Sequence, residues 1–280
     1  MSTDEFTVTR LTDITVHHVN AKYVRKQLEN YCSTNDSPSI SSIVEILKQS
    51  DLKPNVYEGG LKVWECAIDL CNYIHSSVCC RSKKVFEIGC GAGLPGIVCG
   101  KMGASSLYLQ DFNKEVLDCV TKPNVCANEL GSLPVQYITG DWEIIPQILP
   151  KQNKWFDIIV SSETIYNTAN YSKLHKLFDF LLANNGEIYL ATKAFYFGVG
   201  GGCNAFCSFI NEQGIFNFFE VWSSAEDSEL QATNAGFFVS KQVGNVLSVA
   251  GLMIDILLRN NIPLGEQTNV KCHDSNILRQ

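Results

Sequence analysis

The stretch Val85–Gly96, VFEIGCGAGLPG, constrains this chain more than any other: an apolar run climbs into closely spaced glycines and then opens a helical segment. Glycines let a backbone turn tightly and approach a ligand closely, and the helix that follows offers its first amides to polar ligand groups. Two patterns overlap in it. Gly89, Gly91 and Gly93 make G-x-G-x-G, while Gly91, Gly93 and Gly96 make G-x-G-x-x-G, the dinucleotide pattern. A strand, a nucleotide-cofactor turn and a helix are therefore expected here.

Strands and helices alternate from Lys83 onward, which predicts a parallel sheet covered on both faces. Strands are expected near 84–89, 106–111, 134–139, 156–161 and 186–192. Helices are expected over 94–103, 113–129 with an interruption at Pro123, 142–149, 170–183 and 203–213. Phe216–Trp222 and Gly236–Lys241 have no helix-length connection between them, so they predict a terminal antiparallel hairpin. Ahead of the sheet, Leu61, Trp64, Ile68, Cys71 and Val78 recur at helical spacing and predict a helix over Leu61–Ser76. Gly59 and Gly60 form its entry, and Tyr57–Glu65 is a candidate wall of the cofactor mouth. Three regions follow: an N-terminal helical extension over 1–54, a cofactor-binding domain over 55–242, and a divergent tail over 243–280. In the extension a helix is expected over Ala21–Tyr31, and Ser42 with Glu45 resembles a capping box opening a helix through Gln49. The adjacent His17 and His18 are expected at the surface. Val246–Leu258 reads as a further helix.

Composition narrows the partners. The net charge of -7 argues against a broad basic surface for nucleic acid. No apolar run reaches a membrane span, because Val246–Leu258 is interrupted by Asp255, so no membrane association is expected. The 12 cysteines are scattered and contain no C-x-x-C, so no metal site is expected and reduced core thiols are. Residues 1–20 carry charges and no apolar core, which predicts an intracellular protein.

Ligands of a doubly wound sheet lie outside the carboxyl ends of its strands. Glu87 stands in the first of these strands, two residues before its glycine turn. A carboxylate in a strand buried on both faces is costly unless a cation or several donors meet it. A dinucleotide pyrophosphate is anionic and gives no reason for it, whereas S-adenosyl-L-methionine carries an ammonium and a sulfonium. Glu87 thus favours the methyl donor over NAD. Asp111 ends the second strand, where it can accept both ribose hydroxyls or cap the next helix. Asp141 and Trp142 follow the third strand, the one placed to accept the adenine amino group and the other to offer a ring face. At the end of the fourth strand, after Ser162, Glu163 and Tyr166 form E-x-x-Y and can orient an incoming nucleophile, with a helix cap by Ser162 or Glu163 as the competing role. Lys193 through Phe197 then crosses the same face, and Gly198, Gly200, Gly201 and Gly202 make a permissive lip with aromatic walls, or a plain loop.

These residues resemble a known family. NVYEGGLKVWE at 55–65, the glycine turn, QDFN at 110–113, KPNV at 122–125, SSETIY at 161–166 and TKAFYFGVGGG at 192–202 look like the protein-histidine N-methyltransferases, a branch of the seven-β-strand S-adenosylmethionine enzymes. The resemblance covers roughly residues 40–240. It implies a Rossmann-like α/β fold: the seven-stranded methyltransferase sheet with a terminal antiparallel hairpin and helices on both faces. It implies an enzyme that methylates an imidazole nitrogen of a protein, with a large-subunit ribosomal protein as substrate class; a monomer in cytoplasm and nucleus is expected. By the same route Glu87, Gly89, Gly91, Gly93, Asp111, Asn113, Asp141, Trp142 and Ser162 map to the cofactor site, with Trp64 and Glu65 bordering it. Glu163, Tyr166 and Lys193 would face the acceptor. Two alternatives stay open beside histidine transfer: a lysine acceptor, since related enzymes carry D-x-x-Y at the place of Glu163 and Tyr166, and a cofactor-binding ribosome-assembly factor without transfer activity.

Overall fold

In the computed structural model the described residues are 5–34, 43–47, 50–149, 155–223 and 234–241, all within one unit, Met1–Gln242. The order begins with β1 (Phe6–Arg10), β2 (Thr15–Val19), α1 (Ala21–Thr34) and α2 (Glu65–Ser77). The alternating part follows as β3 (Lys84–Ile88), α3 (Leu94–Lys101), β4 (Ser106–Asp111), α4 (Lys114–Val116), a π-helical turn (Leu117–Thr121), α5 (Lys122–Ala127) and β5 (Val135–Thr139). Then come α6 (Ile145–Ile148), β6 (Phe156–Ser162), α7 (Tyr171–Leu181), β7 (Leu182–Lys193), α8 (Cys203–Gln213), β8 (Phe216–Ser223) and β9 (Asn234–Lys241).

The seven-stranded sheet has the order β5-β4-β3-β6-β7-β9-β8. Strands β3 to β7 pair in parallel, and β9 pairs antiparallel with both β7 and β8. The α/β fold, the five parallel strands and the terminal hairpin are those expected. Strand order reverses between β3 and β6, so the open crevice of the sheet lies beyond Ile88 and Ser162.

Side-chain alternation along β3 sorts the two faces. Phe86 and Ile88 join the buried cluster under α7 and α8, with Leu174, Leu177, Phe178 and Phe206. Glu87 points to the opposite face, where α3 crosses so closely that a Cβ at Gly96 would lie 2.6 Å from its Oε2 and 2.8 Å from Leu109. Leu174, Leu177, Phe178 and Leu181 are spaced on one side of α7 and are all buried. At roughly 1.5–3 kcal/mol for each buried side chain, that stripe alone explains why the segment folds as a helix on this sheet.

Three expectations change. An antiparallel hairpin, β1 with β2, precedes α1, and it buries His18, which was expected at the surface. Burial holds the His18 imidazole below its ordinary pKa, opposed by a bond to the Val19 backbone and helped by neighbouring His17. Helix α2 starts at Glu65, not Leu61, because Tyr57–Trp64 is held in irregular backbone by other partners. The interruption expected at Pro123 is present: the regular α-helical spiral stops at Val116 and resumes as α5 at Lys122. A proline ring would clash with a carbonyl of the preceding turn, and the π-helical turn at Leu117–Thr121 widens the spiral there, leaving Pro123 in the first turn of α5. The capping residue Ser42, the tail 243–280 and the helix expected over Val246–Leu258 lie outside the described residues. No helix among the described residues is long and apolar enough to cross a membrane.

Candidate functional site

The site is a cavity, open at one side, outside the carboxyl ends of β3, β4, β5 and β6. Its floor is the glycine turn. Gly91 has φ 49° and a Cβ there would stand 3.2 Å from the Gly60 carbonyl; Gly89 has φ 60° and a Cβ would stand 2.6 Å from Thr164. Both close approaches and both left-handed conformations require glycine. The turn is held from below: Thr121 Oγ1 donates to the Gly91 carbonyl at 2.6 Å and Asn124 Nδ2 to the Ala92 carbonyl at 2.8 Å.

Strand β4 supplies the next two groups. Gln110, fully buried, accepts with Oε1 from the Gly89 amide and from Trp142 Nε1, each at 3.1 Å, and donates with Nε2 to the Gly140 carbonyl at 2.8 Å. One amide thereby fixes the glycine turn, the Trp142 ring and the end of β5 in one arrangement. Asp111 accepts from the Gly91 amide at 2.9 Å through Oδ2 and from the Asn113 amide at 3.0 Å through Oδ1. Each carboxylate oxygen keeps a lone pair for a ligand hydroxyl. Burial raises its pKa to about 6 against the Asn113, Gly91 and Phe112 amides that lower it. Asn113 clasps the segment overhead, accepting from the Glu58 amide at 3.2 Å and donating to the Val56 carbonyl at 2.9 Å.

Glu58 comes with that segment. Its Oε1 accepts from the Asn55 amide at 2.6 Å, and its Oε2 accepts from the Tyr166 hydroxyl. Trp64 closes the same wall with Nε1 on the Gly59 carbonyl at 3.0 Å and the Lys62 ammonium 4.6 Å from its ring centroid. Opposite stands the loop after β6. Glu163 sits at φ 56°, a left-handed conformation that costs a non-glycine residue about 1–3 kcal/mol and is common where function fixes the backbone. Its amide donates to the Ala191 carbonyl at 2.9 Å, its Oε2 accepts from the Tyr196 hydroxyl, and its Oε1 is buried with no partner but the Cys66 thiol, which stands against the carboxylate. Burial is the main reason the Tyr166 and Tyr196 phenols stand far above their ordinary pKa, and both remain protonated donors. The two rings face each other edge to face, 6.2 Å between centroids.

Of the residues singled out in the sequence, Trp64, Gly89, Gly91, Asp111, Asp141, Trp142, Ser162, Glu163 and Tyr166 line the cavity together. Gly93 starts α3 behind the turn, and Asn113 stands behind the Glu58 segment. Glu65 and Lys193 form an ion pair at 3.4 Å without lining the cavity. Glu87 is 1% exposed behind the turn, where its Oε2 accepts from the Gly96 amide at 2.8 Å and its Oε1 has no partner. Burial raises it to about 8, against the Gly96 amide that lowers it, so near neutral pH it is mostly the acid form. The negative charge facing the cavity therefore comes from Glu58, Asp111 and Glu163, not from Glu87.

The lysines nearby are occupied. Lys62 meets Asp51 at 2.8 Å, Lys173 meets Asp141 at 2.8 Å, and Lys193 meets Glu65. Burial would raise Asp141, but the Glu143 amide and Lys173 together hold it below the usual carboxylate range. No such cation is paired with Glu58, Asp111 or Glu163 among the described residues. These lining carboxylates, beside a ring face and a glycine cradle, fit a nucleoside that carries positive charge, as S-adenosylmethionine does. No cluster able to hold a metal occurs among the described residues. Sequence reasoning missed Gln110 and Lys173; it held Glu58 only as part of the Tyr57–Glu65 wall and Tyr196 only as part of the lip. Gln110 had a usable signal, a polar residue inside a buried parallel strand, as Glu87 did; Tyr196 lay within a recognised lip but shared it with two other aromatics.

Comparison with known proteins follows the same line. Residues 47–196 match a family model described as lysine methyltransferase. The chain is 47% identical over 163 residues to a histidine protein methyltransferase 1 homologue of Dictyostelium discoideum, covering 58% of this chain and 52% of that one. It is 40% identical over 193 residues to the homologue of Mus musculus, covering 60% and 53%. The chain thus spans about half the length of the relatives it matches. In fold it is similar to a Streptococcus mutans chain assigned as an S-adenosylmethionine-dependent methyltransferase, with TM-score 0.54, 12% identity and coverage of 86% of this chain and 56% of that one. With more than half of its residues matched by the family model, the chain belongs to this lysine methyltransferase family, whose methyl donor is S-adenosylmethionine.

Proposed function

We propose that the chain methylates a histidine imidazole nitrogen of a protein. The observation that carries this reading is the carboxylate of Glu163, anchored by Tyr196 through one oxygen and buried at the other with only the Cys66 thiol beside the carboxylate. S-adenosylmethionine, when bound, supplies a methyl group already activated as a sulfonium, so alignment and a dry pocket are the main demands on the protein. Asp111, Trp142 and the glycine turn would hold its nucleoside. An imidazole, with an ordinary pKa of about 6.5, is largely neutral near pH 7 and presents one free lone pair. That second oxygen of Glu163 can accept the N–H of the other ring nitrogen, which fixes the tautomer and stabilises the imidazolium as it forms. Tyr166, held by Glu58, walls the ring from the other side.

A lysine acceptor is the second reading, favoured by the description of the family model. A lysine ammonium must first lose a proton from a pKa of about 10.4. Carboxylates without cationic partners would hold that proton on, which supports histidine as the acceptor. The relatives named as histidine protein methyltransferases support it further. For the substrate we propose a basic, large-subunit ribosomal protein, in keeping with the net charge of -7 and the carboxylates of the cavity. Free thiols such as Cys66, Cys71 and Cys99, all buried, support the reducing cytoplasm and nucleus as its place.

Labelled methyl donor with extract from cells lacking the protein, followed by mass spectrometry of the labelled peptide, tests all of this. Methylhistidine is the expected product. Methyllysine would overturn the acceptor, and donor binding with no labelled band would point to a non-catalytic role in ribosome assembly.

A further inference from the structure

Two phenylalanines beside the cavity are used by nothing described so far. Phe195 is 48% and Phe197 76% exposed, and their rings pack edge to face 5.2 Å apart. Exposed aromatic pairs on a folded domain mark contact sites when the backbone displays them instead of letting them collapse. Here it does. The Gly201 amide donates to the Tyr166 carbonyl at 3.0 Å, the Gly202 amide to the Ile165 carbonyl at 2.9 Å, and the Tyr196 amide to the Gly201 carbonyl at 3.0 Å. A Cβ at Gly201 would lie 2.3 Å from the Tyr166 carbonyl, so this fit depends on glycine. The loop carrying the rings is thereby laced to the loop carrying Glu163 and Tyr166.

Between the two phenylalanines, Tyr196 turns the other way, into the cavity and onto Glu163, and Val199 lines the cavity as well. The apolar patch and the acceptor cavity are thus one continuous surface, with the rings at its rim. Lys193 at the root of the loop is paired with Glu65, which leaves the rim without a free cation from that residue. We propose that Phe195 and Phe197 dock a large apolar or aromatic side chain next to the acceptor histidine in an extended segment of the substrate protein. This rests on the reading of the cavity as a protein methylation site. It adds a sequence preference: histidine alone is a poor substrate, and histidine with a bulky apolar neighbour a good one.

The test uses the full chain, labelled S-adenosylmethionine and an array of synthetic peptides with a central histidine and one flanking position varied at a time. Binding of the chain to each spot and methyl transfer to it are read separately. Enrichment of Phe, Tyr, Trp, Leu or Met at one flanking position is expected in both readouts. Phe195→Ser combined with Phe197→Ser should erase the enrichment and raise KM for the best peptide roughly tenfold. Its kcat at saturating peptide and its donor affinity should stay within about twofold, because neither ring lines the cavity. Equal binding to all flanking residues, or an unaltered preference in the double variant, would overturn the proposal. A variant that changes sedimentation but not peptide preference would overturn it too, by making the patch a contact between copies. Selective binding with no methyl transfer to any histidine would count against the methylation reading while leaving the docking surface in place.

Discussion

The Tyr196 hydroxyl donates to Oε2 of Glu163, and the other oxygen of that carboxylate is buried with no partner but the Cys66 thiol beside the carboxylate. In the proposed reaction that second oxygen receives the N–H of the acceptor ring. Glu163→Gln keeps the shape but turns one acceptor oxygen into a donor, which opposes the acceptor N–H. We expect kcat to fall by about 10²-fold or more, with donor affinity within a few-fold of the parent. Tyr196→Phe removes only the anchor and should lower kcat by about tenfold. Single-turnover measurements check both, and full turnover in Glu163→Gln with an unchanged pH profile would remove Glu163 from the mechanism.

Asp111 is expected to make donor binding depend on pH. Its folded pKa is about 6, raised by burial despite the Asn113 and Gly91 amides. Only the ionised carboxylate accepts from both amides and from ribose hydroxyls as well. Donor affinity is therefore expected to be full above about pH 7 and to weaken as pH falls through 6. Titration calorimetry between pH 5 and 8 measures it. Asp111→Asn should weaken binding roughly tenfold or more and flatten the dependence. It also turns an amide N–H toward one backbone donor, at a stability cost of about 1–3 kcal/mol.

Glu87 should reveal itself in stability, not in turnover. Its folded pKa, about 8, lies above the unfolded value near 4.5, chiefly through burial. Between those values the unfolded chain has released a proton that the folded chain keeps. Stability from this group is therefore full below about pH 4.5, declines as pH rises through the window, and levels off above about 8. Denaturant unfolding at pH 6, 7 and 8 should show the decline, and Glu87→Gln, which mimics the acid form, should flatten it. A parent protein with no decline across that range would refute the assignment.

These differences show what a sequence exposes and what it hides. Glu87 and Asp111 were legible because a charge in a buried parallel strand needs a reason. Glu87 was nonetheless placed against the cofactor, because strand periodicity alone does not say which face is crossed by α3 at Gly96. The parallel strands and the final hairpin followed from alternation and connection length. The hairpin Phe6–Val19 did not, because its strands are short and gain their place from long-range bonds: the His17 and Val19 amides are received by Asn128 and Asn124. Glu58 and Tyr166 are bonded across the cavity although 108 residues apart, a pairing that no local pattern encodes.

Asn124 is the residue through which that N-terminal hairpin reaches the site. Its Oδ1 accepts from the Val19 amide at 2.8 Å, and its Nδ2 donates to the Ala92 carbonyl of the glycine turn at 2.8 Å. The side chain is fully buried, so removing it strands two backbone groups where water does not compensate them. Asn124→Ala should lose about 2–5 kcal/mol, lowering Tm by roughly 5–10 °C. Asn124→Asp keeps the acceptor for Val19 but faces the Ala92 carbonyl with an oxygen. That substitution should therefore disturb the turn selectively, weakening donor binding several-fold while the Val19 amide keeps its partner. Calorimetric Tm and donor titration on both variants check this, and donor affinity unchanged in both would show that the turn holds its shape without Asn124.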